Sequence, residues 1–180
     1  MPDERRLFAV TQRVLSGGII VTMVLIGMLA LGIAATIFGL ATSRLPLDRI
    51  ARATGVMMTA DEIGRMALAA YTGGIAALAL VQLILRALAR VVASASAGDP
   101  FIEPNAGELV RVAWLLLGLN AINAMIKPTV YLLAPPAVRE KIHDTVHISI
   151  TGLVAVLLIF VLAQIFRRGT DMRAELAGTI

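Results

Sequence analysis

Three polar side chains interrupt an otherwise apolar stretch of the chain: Asn120, Asn123 and Lys127. At about 100° per residue of an α-helix, they fall within about 60° of one another on a single face. Polar groups in lipid normally turn inward and find partners. We favour interhelical hydrogen bonding by the two asparagines, with the lysine reaching to the membrane surface. The alternative is that this polar stripe forms a polar cleft for a small ligand or ion.

A second group with ligand chemistry is Glu140, His143 and His147, spaced at i, i+3 and i+7. Histidines four residues apart on a helix can hold a metal ion, and a carboxylate could complete the set. The sequence shows no metalloprotease pattern and no further ligand, so this is a weak candidate metal site. An amphipathic surface segment has the same spacing. We therefore expect no catalytic residue, no cofactor and no enzymatic activity.

The elements that carry these residues are four long apolar runs. The chain is 58% hydrophobic with a mean hydropathy of +0.86, well above the range of soluble proteins. About 20 apolar residues cross a bilayer as a helix. We predict an all-α fold, an integral membrane four-helix bundle that forms a single domain over residues 1–180, with spans at about 14–41, 63–90, 109–133 and 146–166. The absence of cysteine excludes disulfides and thiolate metal sites.

The second helix is predicted to be longer than a membrane requires. Thr59 and Glu62 have the spacing of a capping box at its start. The helical pattern then continues to about Ala97, roughly 40 residues or 57 Å at 1.5 Å per residue. A bilayer core is about 30 Å thick. We therefore expect this helix to project past the membrane by several turns.

The turn after this helix has strong stop and start signals. Gly98 suits a helix C-terminus, and Pro100 forbids continuation. Asn105 is predicted to be the N-cap of the third span, with Glu108 three residues later. Phe101 would pack against the ends of the two helices.

Two segments near the start of the chain are open to two interpretations. The first apolar run is about twice the length of a signal-peptide core, which favours a retained helix over a cleaved signal. Residues 42–58 contain Pro46 and several arginines, and predict either an amphipathic segment on the membrane surface or a solvated loop.

The basic residues indicate orientation. Nine of the 16 lysines and arginines lie on the side of the N-terminal arm, the second loop and the tail, which favours cytoplasmic termini. They are spread over short segments without a single basic patch. This distribution favours anionic lipid over direct binding of nucleic acid, despite a pI near 10.3.

Two motifs of the chain belong together. The first is the turn and the start of the third span, with Gly98, Asp99, Pro100, Phe101, Asn105, Ala106, Leu109 and Val112. The second is the tail, from Leu162 through Phe166, Arg167, Arg168 and Gly169 to Gly178 and Ile180. Both motifs resemble a bacterial family designated domain of unknown function 2975. The four-span plan is similar over nearly the whole chain, whereas the first loop and the histidine segment carry no resemblance.

The resemblance implies a small multi-pass protein of the bacterial cytoplasmic (inner) membrane, and genes of this family often neighbour a small Xre-type helix-turn-helix repressor. Two spans separate the turn at residues 98–105 from the tail at residues 167–180, so both lie on one side, the predicted cytoplasmic side. We predict a partner-binding face there, composed of Gly98, Asp99, Pro100, Phe101, Asn105, Arg167, Arg168 and Gly169.

The leading hypothesis for function is therefore a non-enzymatic regulatory membrane protein that binds a cytoplasmic partner, such as that repressor. The alternative is a small transporter or immunity-type membrane protein that uses the polar stripe of the third span. In both cases the lipid bilayer is the main partner, and the sequence does not specify an oligomeric state.

Overall fold

The structure, a computed structural model, describes residues 2–97, 103–140 and 149–177. These residues form only helices and their connections, without a strand, which confirms the predicted all-α class. The helices are α1 (Pro2–Ala41), α2 (Leu47–Thr54), α3 (Ala60–Ser96), α4 (Glu103–Leu133), α5 (Pro136–Arg139) and α6 (Ile150–Ala177).

Four of these helices, α1, α3, α4 and α6, are long and apolar enough to cross a membrane. The chain is thus a multi-pass membrane protein. The helix α3 has 37 residues and a length of about 56 Å, whereas a bilayer core is about 30 Å thick. The helices α1 and α6 also run past the predicted spans, because α1 already begins at Pro2 and α6 continues to Ala177.

The predicted capping box at the start of α3 is present. The backbone N–H of Thr59 donates to Glu62 Oε2 at 2.8 Å, and the backbone N–H of Glu62 donates to Thr59 Oγ1 at 3.3 Å. Each side chain thus satisfies an amide that the first helical turn leaves without a partner. This reciprocal pair fixes where α3 begins.

The loop before α3 contains the short helix α2, none of whose residues is buried. Gly55 ends α2 in the left-handed region, with a φ of 67°, and its N–H donates to the carbonyl of Ala51. Glycine adopts this conformation without the steric penalty of a Cβ atom. Residues 42–58 are therefore partly helical, and the location of α2 on the membrane surface stays a prediction.

The contacts divide the chain into two compact units, and α1, α3 and α4 contribute residues to both. The first unit consists of Met1–Met23, Ala79–Asn120 and Ser149–Ile180. The second consists of Val24–Leu78 and Ala121–Ile148.

The core of the first unit lies where α3 packs on α4. Ala87 and Val112 are fully enclosed there beside Ile84. A hydrogen bond joins α1 to α3 in the same unit, from the Thr22 hydroxyl to Gln82 Oε1 at 2.7 Å. Both side chains are buried. In lipid, close packing and interhelical hydrogen bonds of this kind hold helices together.

In the second unit, glycines face large side chains of neighbouring helices. A Cβ atom added to Gly32 of α1 would lie 2.9 Å from Cζ of Tyr71 on α3. On the other side of α3, a Cβ at Gly73 would lie 2.7 Å from Cγ1 of Ile126 on α4. The missing Cβ atoms let the backbones approach closely, which is how helices in membranes gain dispersion energy.

Candidate functional site at one end of the first unit

Asn105 lies inside α4, which corrects the predicted N-cap. The helix begins at Glu103, so Asn105 occupies its first turn. Its side chain is buried, and Nδ2 donates to Ser94 Oγ of α3 at 2.6 Å. The proline at position 104 explains the shift, because proline is well tolerated in the first turn of a helix. Asn105 therefore ties α4 to the end of α3.

A second link lies one turn further along the same two helices. Arg90 of α3 donates to both carboxylate oxygens of Glu108 on α4, from Nε to Oε1 at 2.9 Å and from Nη2 to Oε2 at 2.7 Å. This bidentate geometry is the most specific that an ion pair can adopt. The two links hold the end of α3 and the start of α4 in one arrangement.

The helices α4 and α6 run antiparallel in this unit. The rings of Trp114 and Phe160 meet edge to face with centroids 5.6 Å apart, and the side chain of Asn120 lies against Gly152. Continuing this register from Trp114 towards the start of α4 places Arg168 at the level of Asn105. The start of α4 and the end of α6 therefore lie at the same end of the first unit.

The described residues of the predicted partner-binding face lie at this end of the first unit. Arg167 and Arg168 are exposed on α6, Gly169 is half-buried, and Asn105 is level with them. Gly98, Asp99, Pro100 and Phe101 lie outside the described residues. We use the name partner face for the described members of that predicted set, Asn105, Arg167, Arg168 and Gly169. In this face, Asn105 holds two helices together and the two arginines present positive charge to the surroundings.

The members of the polar stripe differ in their surroundings. In the first unit, Asn120 is half-buried, and its Nδ2 donates to the carbonyl of Leu116 on the same helix at 2.9 Å. In the second unit, Asn123 and Lys127 are exposed, and neither makes a hydrogen bond or ion pair within the described part of the chain. Asn120 therefore serves packing, whereas the other two carry unused polar groups.

The weak metal candidate gains no support. Glu140 is exposed and caps the C-terminus of α5, while His143 and His147 lie outside the described residues. Among residues 2–97, 103–140 and 149–177, no three side chains form a group that could hold a metal ion.

Sequence reasoning missed the role of Arg139 in the second unit. Its Nε donates to the carbonyls of Tyr131 and Ala134, and its Nη2 donates to the carbonyl of Leu132 at 2.7 Å. The guanidinium also lies over the Tyr131 ring, 5.6 Å from its centroid. A cation at a helix C-terminus satisfies carbonyls that have no partner within the helix. The signal was a basic residue shortly after two prolines that end a helix.

The comparisons with known proteins agree with the resemblance of the motifs. A model of the family described as a protein of unknown function (DUF2975) matches residues 39–180, which is more than half of the chain. No curated protein matches the sequence. No solved structure matches it either.

Proposed function

Because the chain belongs to the DUF2975 family, whose function is unknown, we propose from its own residues that it is a non-enzymatic regulatory protein of the bacterial inner membrane. In this proposal the partner face binds a cytoplasmic protein. The protein that we propose as the partner is a small Xre-type helix-turn-helix repressor. Binding would hold the repressor at the membrane and away from DNA.

The observation that supports this proposal is that the start of α4 and the end of α6 lie at the same end of the first unit. The links from Asn105 to Ser94 and from Arg90 to Glu108 give the face a fixed support. Arg167 and Arg168 directly follow the apolar run of α6 that ends at Phe166, which favours a position at the membrane surface, within reach of a soluble protein. Arginine is enriched in protein interfaces and steers partners of opposite charge.

The test is a cross-linking pull-down of the tagged full-length protein from native membranes, with the captured proteins identified by mass spectrometry. We expect the wild type to capture a small helix-turn-helix protein and an Arg167→Ala, Arg168→Ala double variant to lose it. The control is an Arg44→Ala, Arg49→Ala double variant, which removes two exposed arginines from the loop between α1 and α3. Equal capture by all three proteins, or capture of no such protein by the wild type, contradicts the proposal.

The orientation belongs to the same proposal, since a cytoplasmic partner requires a cytoplasmic face. The sequence contains no cysteine, so single-cysteine variants can be labelled without any background. We expect a membrane-impermeant maleimide to label Thr42→Cys in intact spheroplasts and to label Ser96→Cys only after lysis. Labelling in the opposite order would place the partner face outside the cytoplasm and exclude a cytoplasmic repressor.

A second candidate function, transport, is favoured by Asn123 and Lys127 of α4, which are exposed and have no partner among the described residues. A polar amide and an ammonium group on a long apolar helix are costly unless they line a water-filled path or find partners. Four spans are few for a transporter, so this function would require several copies. Flux through proteoliposomes should then change on Lys127→Met, and unchanged flux counts against transport.

A further inference from the structure

A groove of about 480 Å³ lies between α1 and α3 in the first unit, outside the partner face. It is lined by Ala9, Gln12, Arg13 and Ser16 of α1 and by Ala89 of α3. The four residues of α1 are spaced at i, i+3, i+4 and i+7, so they form one face of that helix. Two of the five lining residues are alanines, whose side chains fill little space.

Three polar side chains line this groove without partners of their own. Within the described part of the chain, Arg13 has no acidic partner, and Gln12 and Ser16 make no side-chain hydrogen bond. A guanidinium group next to an amide and a hydroxyl supplies several N–H and O–H donors and one positive charge. This combination suits a phosphate oxyanion, to which arginine can donate two parallel hydrogen bonds.

The position of the groove along α1 sets its depth in the membrane. Arg13 is the last charged residue before the uncharged run from Val14 to Ser43, so its head group lies at the level of the lipid headgroups. The next turns of α1 carry exposed apolar side chains on the same face of the helix, with Ile20 and Met23 exposed by 62% and 52%. A phosphate in the groove would therefore continue directly into an apolar surface that suits acyl chains.

We propose that this groove binds an anionic phospholipid, whose phosphodiester is held by Arg13, Gln12 and Ser16 and whose acyl chains lie along the exposed face of α1. The choice of an anionic phospholipid rests on both the positive charge of Arg13 and the exposed apolar surface of α1. A soluble phosphate would leave the apolar face unused. A zwitterionic choline lipid would place a second positive charge near Arg13, so an anionic headgroup such as phosphatidylglycerol fits better.

The test is native mass spectrometry of the purified full-length protein in detergent micelles, titrated with phosphatidylglycerol, with phosphatidylcholine or with inorganic phosphate. We expect the wild type to prefer phosphatidylglycerol over phosphatidylcholine. Arg13→Ala should weaken phosphatidylglycerol binding about tenfold, since one charge-assisted contact is lost. The control is Arg111→Ala, which removes an exposed arginine of α4 that does not line the groove. The affinity of this variant for phosphatidylglycerol should stay within about twofold of the wild type.

Two further variants separate charge from shape. Gln12→Glu keeps the size of the side chain and adds a negative charge, so it should weaken phosphatidylglycerol binding at least as much as Arg13→Ala. Ala9→Leu fills the groove without changing its charge and should also weaken binding. Both positions are exposed on α1, so these variants remain informative if Arg13→Ala fails to fold, which circular dichroism and gel filtration would reveal.

Three results would overturn the proposal. Equal weakening by Arg13→Ala and Arg111→Ala would mean that lipid is attracted only by the general positive charge. Equal affinity for phosphatidylglycerol and phosphatidylcholine would mean that the phosphate charge is not recognised. Displacement of phosphatidylglycerol by millimolar inorganic phosphate would assign the groove to a soluble anion in place of a lipid.

Discussion

The hydrogen bond between Asn105 and Ser94 predicts that the Asn105→Ala substitution loosens the support of the partner face. Asn105 is only 3% exposed, and its Nδ2 lies 2.6 Å from Ser94 Oγ on the neighbouring helix. Alanine removes the amide and leaves the Ser94 oxygen without this donor. The Ser94 hydroxyl still donates to the carbonyl of Val91 at 2.9 Å, so the loss concerns its role as an acceptor.

The expected loss of stability follows from the burial of Asn105 and from the Ser94 hydroxyl that stays behind. Loss of a buried hydrogen bond with one group left behind costs about 1–3 kcal/mol of the free energy of unfolding. A double-mutant cycle with Ser94→Ala isolates the contact itself, and we expect a coupling of about 1 kcal/mol. Asn123→Ala is the matched control, because it removes the same amide from an exposed position of the same helix and should change stability by less than about 0.5 kcal/mol.

The assay is reversible unfolding of the purified protein by sodium dodecyl sulfate in mixed micelles, followed by far-ultraviolet circular dichroism. All four members of the cycle and the control are measured at the same lipid-to-detergent ratio. A coupling indistinguishable from zero, or a loss for Asn123→Ala as large as that for Asn105→Ala, would refute the assignment of Asn105 as the link between α3 and α4.

The remaining predictions concern the second unit and the first helix. Gly32→Leu should destabilise the protein by about 1–3 kcal/mol, because the new side chain would collide with the Tyr71 ring. Gly17 is exposed, and a Cβ added there would meet no side chain within 4 Å, so Gly17→Leu should change stability by less than about 0.5 kcal/mol. Equal effects in thermal unfolding would contradict the contact. Arg139→Lys should accelerate hydrogen exchange at the end of α4 about tenfold, since an ammonium group cannot reproduce the three-carbonyl fork, and unchanged exchange there would show that the cap does not stabilise the helix.

The sequence allowed the long helices to be predicted because an apolar run of this length has few alternatives in a membrane protein. It also allowed the start of α3 to be predicted, since the capping box of Thr59 and Glu62 depends only on local spacing. The beginning of α1 at Pro2 was not predicted. Hydropathy detects the apolar part of a helix and is blind to a polar extension of it.

The predicted site was harder to infer, because its contacts join residues that are distant in sequence. Asparagine is a residue type that often caps a helix, so the sequence predicts an N-cap at Asn105. Its hydrogen bond to Ser94 depends on the position of the neighbouring helix, which the sequence does not give. Arg90 and Glu108 belong to two different helices, and helical periodicity gives no register between two helices. The cap by Arg139 depends on the path of the chain after two prolines, which no periodic pattern describes.

The close contacts of glycines with large side chains also constrain how this protein can evolve. A Cβ atom at Gly73 would lie 2.7 Å from Ile126, and one at Gly64 would lie 2.6 Å from Leu40. A side chain can therefore be gained at either glycine only if the opposing side chain shrinks or turns aside, or if the helices separate. Natural variation at these two pairs should be correlated, with small and large residues exchanging sides together, so that an alignment of relatives would reveal which helices are neighbours.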